Sequence, residues 1–245
     1  MKRYLLLLYC FAAIKMQAQN PNFFDAVQIE YEKTLSVHQL MKQMEPEWFD
    51  RAKDHMPVEL KSYFTFTGDS THSIFKQSKE AYVPPGMWFG AIADENVVYN
   101  DYTTGRTITK KPVFEQTFLV DDSMLNIKWK ITNDSRNIAG FECRKAVGIM
   151  FDTIAVFAFY TDEIMISGGP EGIHGLPGMI LGLGIPRIHT TWFATKVEVS
   201  GLKMNKVIPE TKGKRIKRKE MIDVIKKALY DWGGYGKNLV LNFLI

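Results

Sequence analysis

The sequence predicts a mainly β protein, α+β at most, built as one strongly curved antiparallel sheet or half-barrel with one or two packing helices. Three observations carry that prediction. Apolar and polar residues alternate with period two over short stretches along most of the chain, as half-buried strands do. Turn formers, not long helices, separate those stretches. Only two segments carry an apolar stripe at helical spacing.

The first alternating run is Ala26–Glu32 (AVQIEYE). Residues 36–54 follow, with Val37, Leu40, Met41, Met44 and Trp48 on one helical face and a break at Pro46, which has no backbone N–H to continue the ladder. Residues 59–67 and 72–76 alternate again and meet across Gly68-Asp69-Ser70, a hairpin turn. Further strands are expected at 97–100, 106–109, 113–120, 126–132, 138–147, 153–160 and 189–199. Residues 218–232 place Met221, Ile222, Ile225, Ala228, Leu229 and Trp232 on one stripe, and Gly233-Gly234 is expected to stop that helix. The apolar tail 239–245 must pack on the body or pair with the sheet edge of another chain. With no repeat and no low-complexity linker, residues 19–245 read as a single domain.

Residues 1–18 read as a signal peptide. Lys2 and Arg3 precede ten apolar residues, Leu5 to Ile14, and small and polar residues lead to a cut after Ala18. The run is too short to span a bilayer, which takes about 18–20 apolar residues. The chain is therefore expected in the periplasm or cell envelope. Cys10 leaves with the peptide, so Cys143 is the single remaining thiol and no internal disulfide is expected. The whole-chain charge of +4 falls to +1 once Lys2, Arg3 and Lys15 are removed. Export also argues against nucleic acid as a partner. A hydrophobic share of 46% with 24% charged residues argues against long-range disorder and against a multi-span membrane protein.

The most distinctive stretch is 167–186, rich in Gly and Pro. It lacks the Gly-Lys-Ser/Thr of a phosphate loop and the strand–GxGxxG–helix setting of a dinucleotide site. Gly169, Pro170, His174, Gly175, Leu176, Pro177 and Gly178 are taken as a structural or ligand-shaping loop. The five His show no metal-ligand spacing, so no metal and no cofactor is expected. Glu171, His174 and Cys143 could still meet in space as a metal or acid–base site, although Cys143 reads first as a buried structural thiol. No GxSxG elbow is present. The basic run Lys212, Lys214, Arg215, Lys217, Arg218 and Lys219 lies in a stretch, 201–230, with ten Lys/Arg against three Asp/Glu. It reads as a solvated lead into the last helix or as a contact for acidic surfaces, including peripheral membrane contact.

Phe159-Tyr160-Thr161-Asp162-Glu163-Ile164, Gly169-Pro170 and Gly175-Leu176-Pro177-Gly178-Met179-Ile180-Leu181 together resemble the GLPGLI family of exported Bacteroidetes proteins. Trp129, Ile138-Ala139-Gly140-Phe141 and Cys143-Arg144-Lys145-Ala146 resemble that family's second block. Met179 stands where the motif has Leu, Phe159 where Trp is usual and Met165 where Pro is usual. The resemblance implies an uncharacterised, secreted envelope protein with no agreed catalytic residues. It also implies an association with TonB-dependent outer-membrane transport, the partner being an envelope protein such as an outer-membrane transporter. On the residues, the leading expectation is a non-enzymatic accessory or binding protein whose aromatic-lined sheet holds an apolar ligand or a partner peptide. The alternative is an envelope hydrolase or metal-handling protein using the Gly/Pro loop.

Overall fold

The computed structural model describes residues 24–79, 82–85, 87, 92–199 and 201–245. The export segment 1–18, with Cys10, lies outside the described residues.

Two meanders build one sheet. The first comprises β1 (Ala26–Ser36), β2 (Glu59–Asp69), β3 (His72–Lys79), β4 (Val97–Asp101), β5 (Arg106–Val113) and β6 (Gln116–Ser123). The second comprises β7 (Lys130–Ile138), β8 (Phe141–Met150), β9 (Ile154–Thr161), β10 (Met179–Ile185) and β11 (Thr190–Glu198). They join where β11 pairs antiparallel with β1, and β12 (Lys214–Ile216) adds to β6 in parallel. The order is β12-β6-β5-β4-β3-β2-β1-β11-β10-β9-β8-β7, and the sheet does not close into a barrel. The fold is thus mainly β as expected, but the sheet is mixed because of β12. Among the described residues four short helices pack on it, two more than the upper expectation: α1 (Val37–Met44), α2 (Pro46–Ala52), α3 (Arg218–Ala228) and α4 (Gly233–Leu244).

Three local differences have physical causes. Residues 113–120 form a hairpin, because Phe114 takes a positive φ of 53° between β5 and β6. Ala139 and Gly140, read as part of a strand, both take positive φ and make the tight β7–β8 turn. α3 stops at Ala228, short of the expected 232, a 3-10 turn follows at Tyr230–Trp232, and Gly233, at φ 58°, opens α4 instead of ending the helical run, so that the apolar tail packs inward through Leu239 and Phe243. The tail therefore packs on its own body and leaves no strand to offer another chain.

Strand β10 was hidden inside the Gly/Pro segment. All seven of its residues are buried, since it lies between β9 and β11 with both faces covered. Its glycines answer to aromatic neighbours. A Cβ at Gly184 would sit 2.1 Å from the Phe157 ring, and one at Gly182 would sit 2.8 Å from Phe193.

The inner face of the sheet carries Val27, Ile29, Tyr31, Lys33 and Leu35 of β1. Two apolar clusters occupy it. One joins β1–β4 and β8–β11 to Ile164, Ile166, Ile173 and Leu176 of the 162–178 loop. The other joins the far ends of β1, β2, β5 and β6 to the four helices.

Gly184→Ala is expected to destabilise the fold by about 1–3 kcal/mol through overpacking. In a Phe157→Ala background the same change should cost much less, because the clashing ring is gone. Urea unfolding of the four-member cycle measures both.

Candidate functional site

A seam of polar and charged side chains separates the two apolar clusters. Lys33 of β1, Ser62 of β2, Asn100 of β4, and Thr107, Thr109 and Lys111 of β5 all face inward and are buried. Alternation puts them there: Lys33 shares the parity of Tyr31 and Leu35, and Asn100 that of Val98. A buried ammonium is costly unless paired. Lys33 Nζ lies 2.5 Å from Asp94 Oδ1, and Ser62 Oγ donates to the other carboxylate oxygen. Lys33 also stands 5.8 Å from the Trp192 ring centre and 5.9 Å from that of Phe64. Lys111 Nζ donates to the carbonyls of Ile245 (2.7 Å) and Phe243 (3.2 Å) at the end of α4. Asn96 Nδ2 donates to the same Ile245 oxygen at 2.8 Å.

Glu171 completes the seam from the Gly/Pro loop. The loop crosses the inner face over β2–β4, where Gly168 meets Phe66 and Gly172 meets Val98. Asn100 Nδ2 holds the Gly172 carbonyl (3.2 Å) and Trp129 Nε1 the His174 carbonyl (3.0 Å). Ser167 Oγ donates to Leu176 O and accepts from Gly175 N–H. Gly178, at φ +140°, passes so close to Thr161 that a Cβ would lie 2.0 Å from its carbonyl oxygen. Within this frame Glu171 takes left-handed backbone angles, φ 55° and ψ 23°. Strain of that kind in a non-glycine residue costs about 1–2 kcal/mol.

Glu171 borders two cavities, one of about 60 Å³ and one of about 10 Å³. The larger is bordered by Asn100, Thr107, Thr109, Lys111 and Arg218, with an apolar wall that includes Met221. The smaller touches Lys33, Trp192 and Asn242. Burial raises the Glu171 carboxyl to about 7, with Lys33 and Lys111 pulling it back. Burial lowers Lys111 to about 8. Asn100 Oδ1, Asn242 Oδ1 and Trp192 Nε1 are buried without a hydrogen-bond partner. The Trp192 indole nonetheless favours the charged form of Glu171.

The other sequence candidates lie elsewhere. Cys143 is fully buried, donates weakly to Phe141 O (3.6 Å), and is pushed up to about 12 by burial and then by Glu163. His174 is half-buried beside Tyr102, its Nδ1 has no partner, and burial lowers its pKa. Among the described residues no group of three His, Cys, Asp or Glu could hold a metal ion. Cys143, His174 and Glu171 thus engage separate neighbours. Gly169 and Pro170 are buried, Gly175 and Pro177 exposed. Of the basic run, Arg215 binds Asp121 (2.6 Å), which Arg106 also holds in a bidentate pair. Arg218 N–H donates to Asp122 and its guanidinium to Ser123 O, tying the start of α3 to β6. Lys212, Lys214, Lys217 and Lys219 remain exposed. Lys33, Lys111, Asp94, Asn100 and Trp192 were absent from the sequence-derived candidates; the only signal was a polar residue on an apolar parity.

Residues 148–182 match the model of a family described as a protein of unknown function, Porph_ging, a Bacteroidetes-linked domain. No curated protein matches the chain. Two solved structures of PNGF-II, from crystals in space groups P21 and C2, are similar at TM-score 0.52 and 12% identity. The alignments cover 86% and 85% of this chain but 34% and 33% of those chains, so this chain spans about a third of their length. At this identity the likeness shows the fold alone.

The native Cys143 thiol is expected to resist alkylation by iodoacetamide at pH 8 and to react fully in denaturant, as mass spectrometry of the labelled chain will read. The seam predicts a second behaviour. Glu171 holds an extra proton in the folded chain between its usual 4.5 and about 7, so stability falls as pH rises through that window. Lys111 lacks a proton in the folded chain between about 8 and its usual 10.5, so stability recovers over that range. Melting temperature against pH should pass through a minimum between these windows. Glu171→Gln should remove the falling limb, worth about 3 kcal/mol at most.

Proposed function

We propose that the chain is an exported cell-envelope protein of the GLPGLI type that binds and does not catalyse, with the cavity beneath Glu171 as its ligand site. The observation that supports this is the pair of buried acceptors without protein donors beside the cavities that Glu171 borders. Asn100 Oδ1 and Asn242 Oδ1 have no partner, and Glu171, in strained backbone, lines both cavities. A ligand that fits these groups donates hydrogen bonds through a hydroxyl head, since Lys111 and Arg218 on the same border would repel an ammonium. The larger cavity has room for about four waters, hence for a head of a few heavy atoms. Cys143, the one thiol among the described residues, is held protonated and buried, which disfavours a thiol nucleophile for the hydrolase alternative. The order of charge, apolar run and small residues at the N-terminus supports export, and the resemblance supports an outer-membrane transporter as partner. The free lysines of the basic segment are the surface for such contact.

Full-length protein expressed in a Bacteroidetes host should reach the periplasm and start at Gln19. Its native mass spectrum should exceed the chain mass by one small molecule. Glu171→Gln should lower occupancy about tenfold or more, the scale of one charged hydrogen bond. A native mass equal to the chain mass would overturn the ligand reading.

A further inference from the structure

The outer face of the sheet carries a second feature, remote from the seam. The β8–β9 register places Val147 opposite Phe157 and Ile149 opposite Ala155, and the β7–β8 register places Lys130 opposite Val147. Opposed residues share a face. These side chains, with Pro186 and Lys128, line a surface groove of about 580 Å³. Its floor is apolar and open: Val147 is 37% exposed and Ile149 52%. Cations supply its polar groups. Lys128 and Lys130 are exposed with no ion-pair partner among the described residues, and Lys145 is shared with Asp134 at 3.2 Å. The stretch before β7 explains the arrangement. Ile127 and Trp129 turn inward against Gly148, so the alternating Lys128 and Lys130 turn outward.

We infer that this groove binds a single-chain fatty acid, its alkyl chain along Val147, Ile149, Ala155 and Phe157 and its carboxylate at Lys128, Lys130 and Lys145. Three arguments select that occupant. The groove volume falls within the roughly 300–1,000 Å³ of small-ligand sites. The cationic rim complements an acidic head, and lysine stems extend apolar contact while keeping the ammonium in water. A peptide is disfavoured because β8 pairs with both β7 and β9, and β9 with both β8 and β10. The floor therefore offers no free backbone donor or acceptor, and a peptide main chain laid there would lose its hydrogen bonds.

The test is titration of the full chain with dodecanoate below its micellar concentration, by calorimetry and by NMR of the Ile and Val methyls. Binding should shift the Val147 and Ile149 methyl signals. Lys128→Glu/Lys130→Glu should weaken it about tenfold or more and more strongly at low salt. Ile149→Glu, at an exposed position that the fold tolerates, should abolish it, with the melting temperature as control for folding. Dodecyltrimethylammonium should bind at least tenfold more weakly than dodecanoate. Absence of dodecanoate binding would overturn the inference, as would equal binding by wild type and both variants, or binding only to anionic vesicles or an acidic peptide. Glu171→Gln should leave dodecanoate affinity unchanged, which separates this groove from the interior cavity.

Discussion

The structure depends on the need to pair two ammonium groups that the sheet carries to its buried face. Lys33 and Lys111 are under one-tenth exposed on β1 and β5, and neither strand offers a carboxylate on that face. An unpaired buried ammonium would cost several kcal/mol. The partners come from outside the sheet: Asp94 from the segment before β4 and the carbonyls of Phe243 and Ile245 from the end of α4, while Glu171 of the Gly/Pro loop adds a carboxyl that both lysines act on electrostatically. Three separate pieces of chain are thereby fixed over one face. The same pairing explains why α4 runs inward, since its last carbonyls are acceptors that helix geometry leaves open.

Placement of Glu171 sets the shape of its loop. To bring Glu171 over the seam the chain must leave β9, cross to β4 and return as β10 within seventeen residues. Gly178 makes the return possible, because only a residue without Cβ can pass the Thr161 carbonyl. The left-handed backbone at Glu171 is the residual strain, and hydrogen bonds from Asn100, Trp129 and Ser167 hold it in place. Burial of Ile164, Ile166, Ile173 and Leu176 supplies the free energy that these constraints consume.

The meander was legible because most strands have one wet face. β1, β2, β4 and β9 alternate as period two requires, and their runs were read within a few residues. β10 was not legible because both its faces are covered, so alternation is lost, and its glycines answer to rings on β9 and β11 that a linear reading cannot see. β5 was read short for a related reason: its inward residues are Thr107, Thr109 and Lys111, polar where a core strand would be apolar. The site followed the same logic. Glu171, His174 and Cys143 were singled out by residue type, but only Glu171 belongs to the seam, because its partners come from strands 138 and 60 residues away in the chain. No spacing in the sequence encodes that distance.

The family match to residues 148–182 acquires a physical meaning from these constraints. That stretch runs from the end of β8 through β9 and the loop into β10. It holds close approaches at Gly178 against Thr161 and Gly182 against Phe193 and the strained backbone of Glu171, and Gly184 against Phe157 lies just beyond it. It also supplies one side chain to each of two surfaces, Glu171 to the inner cavities and Phe157 to the outer groove. A segment under such geometric restriction keeps a recognisable pattern for reasons of packing alone, since glycine at a close approach admits no replacement. The match therefore reports first on how β9 and β10 are laid together.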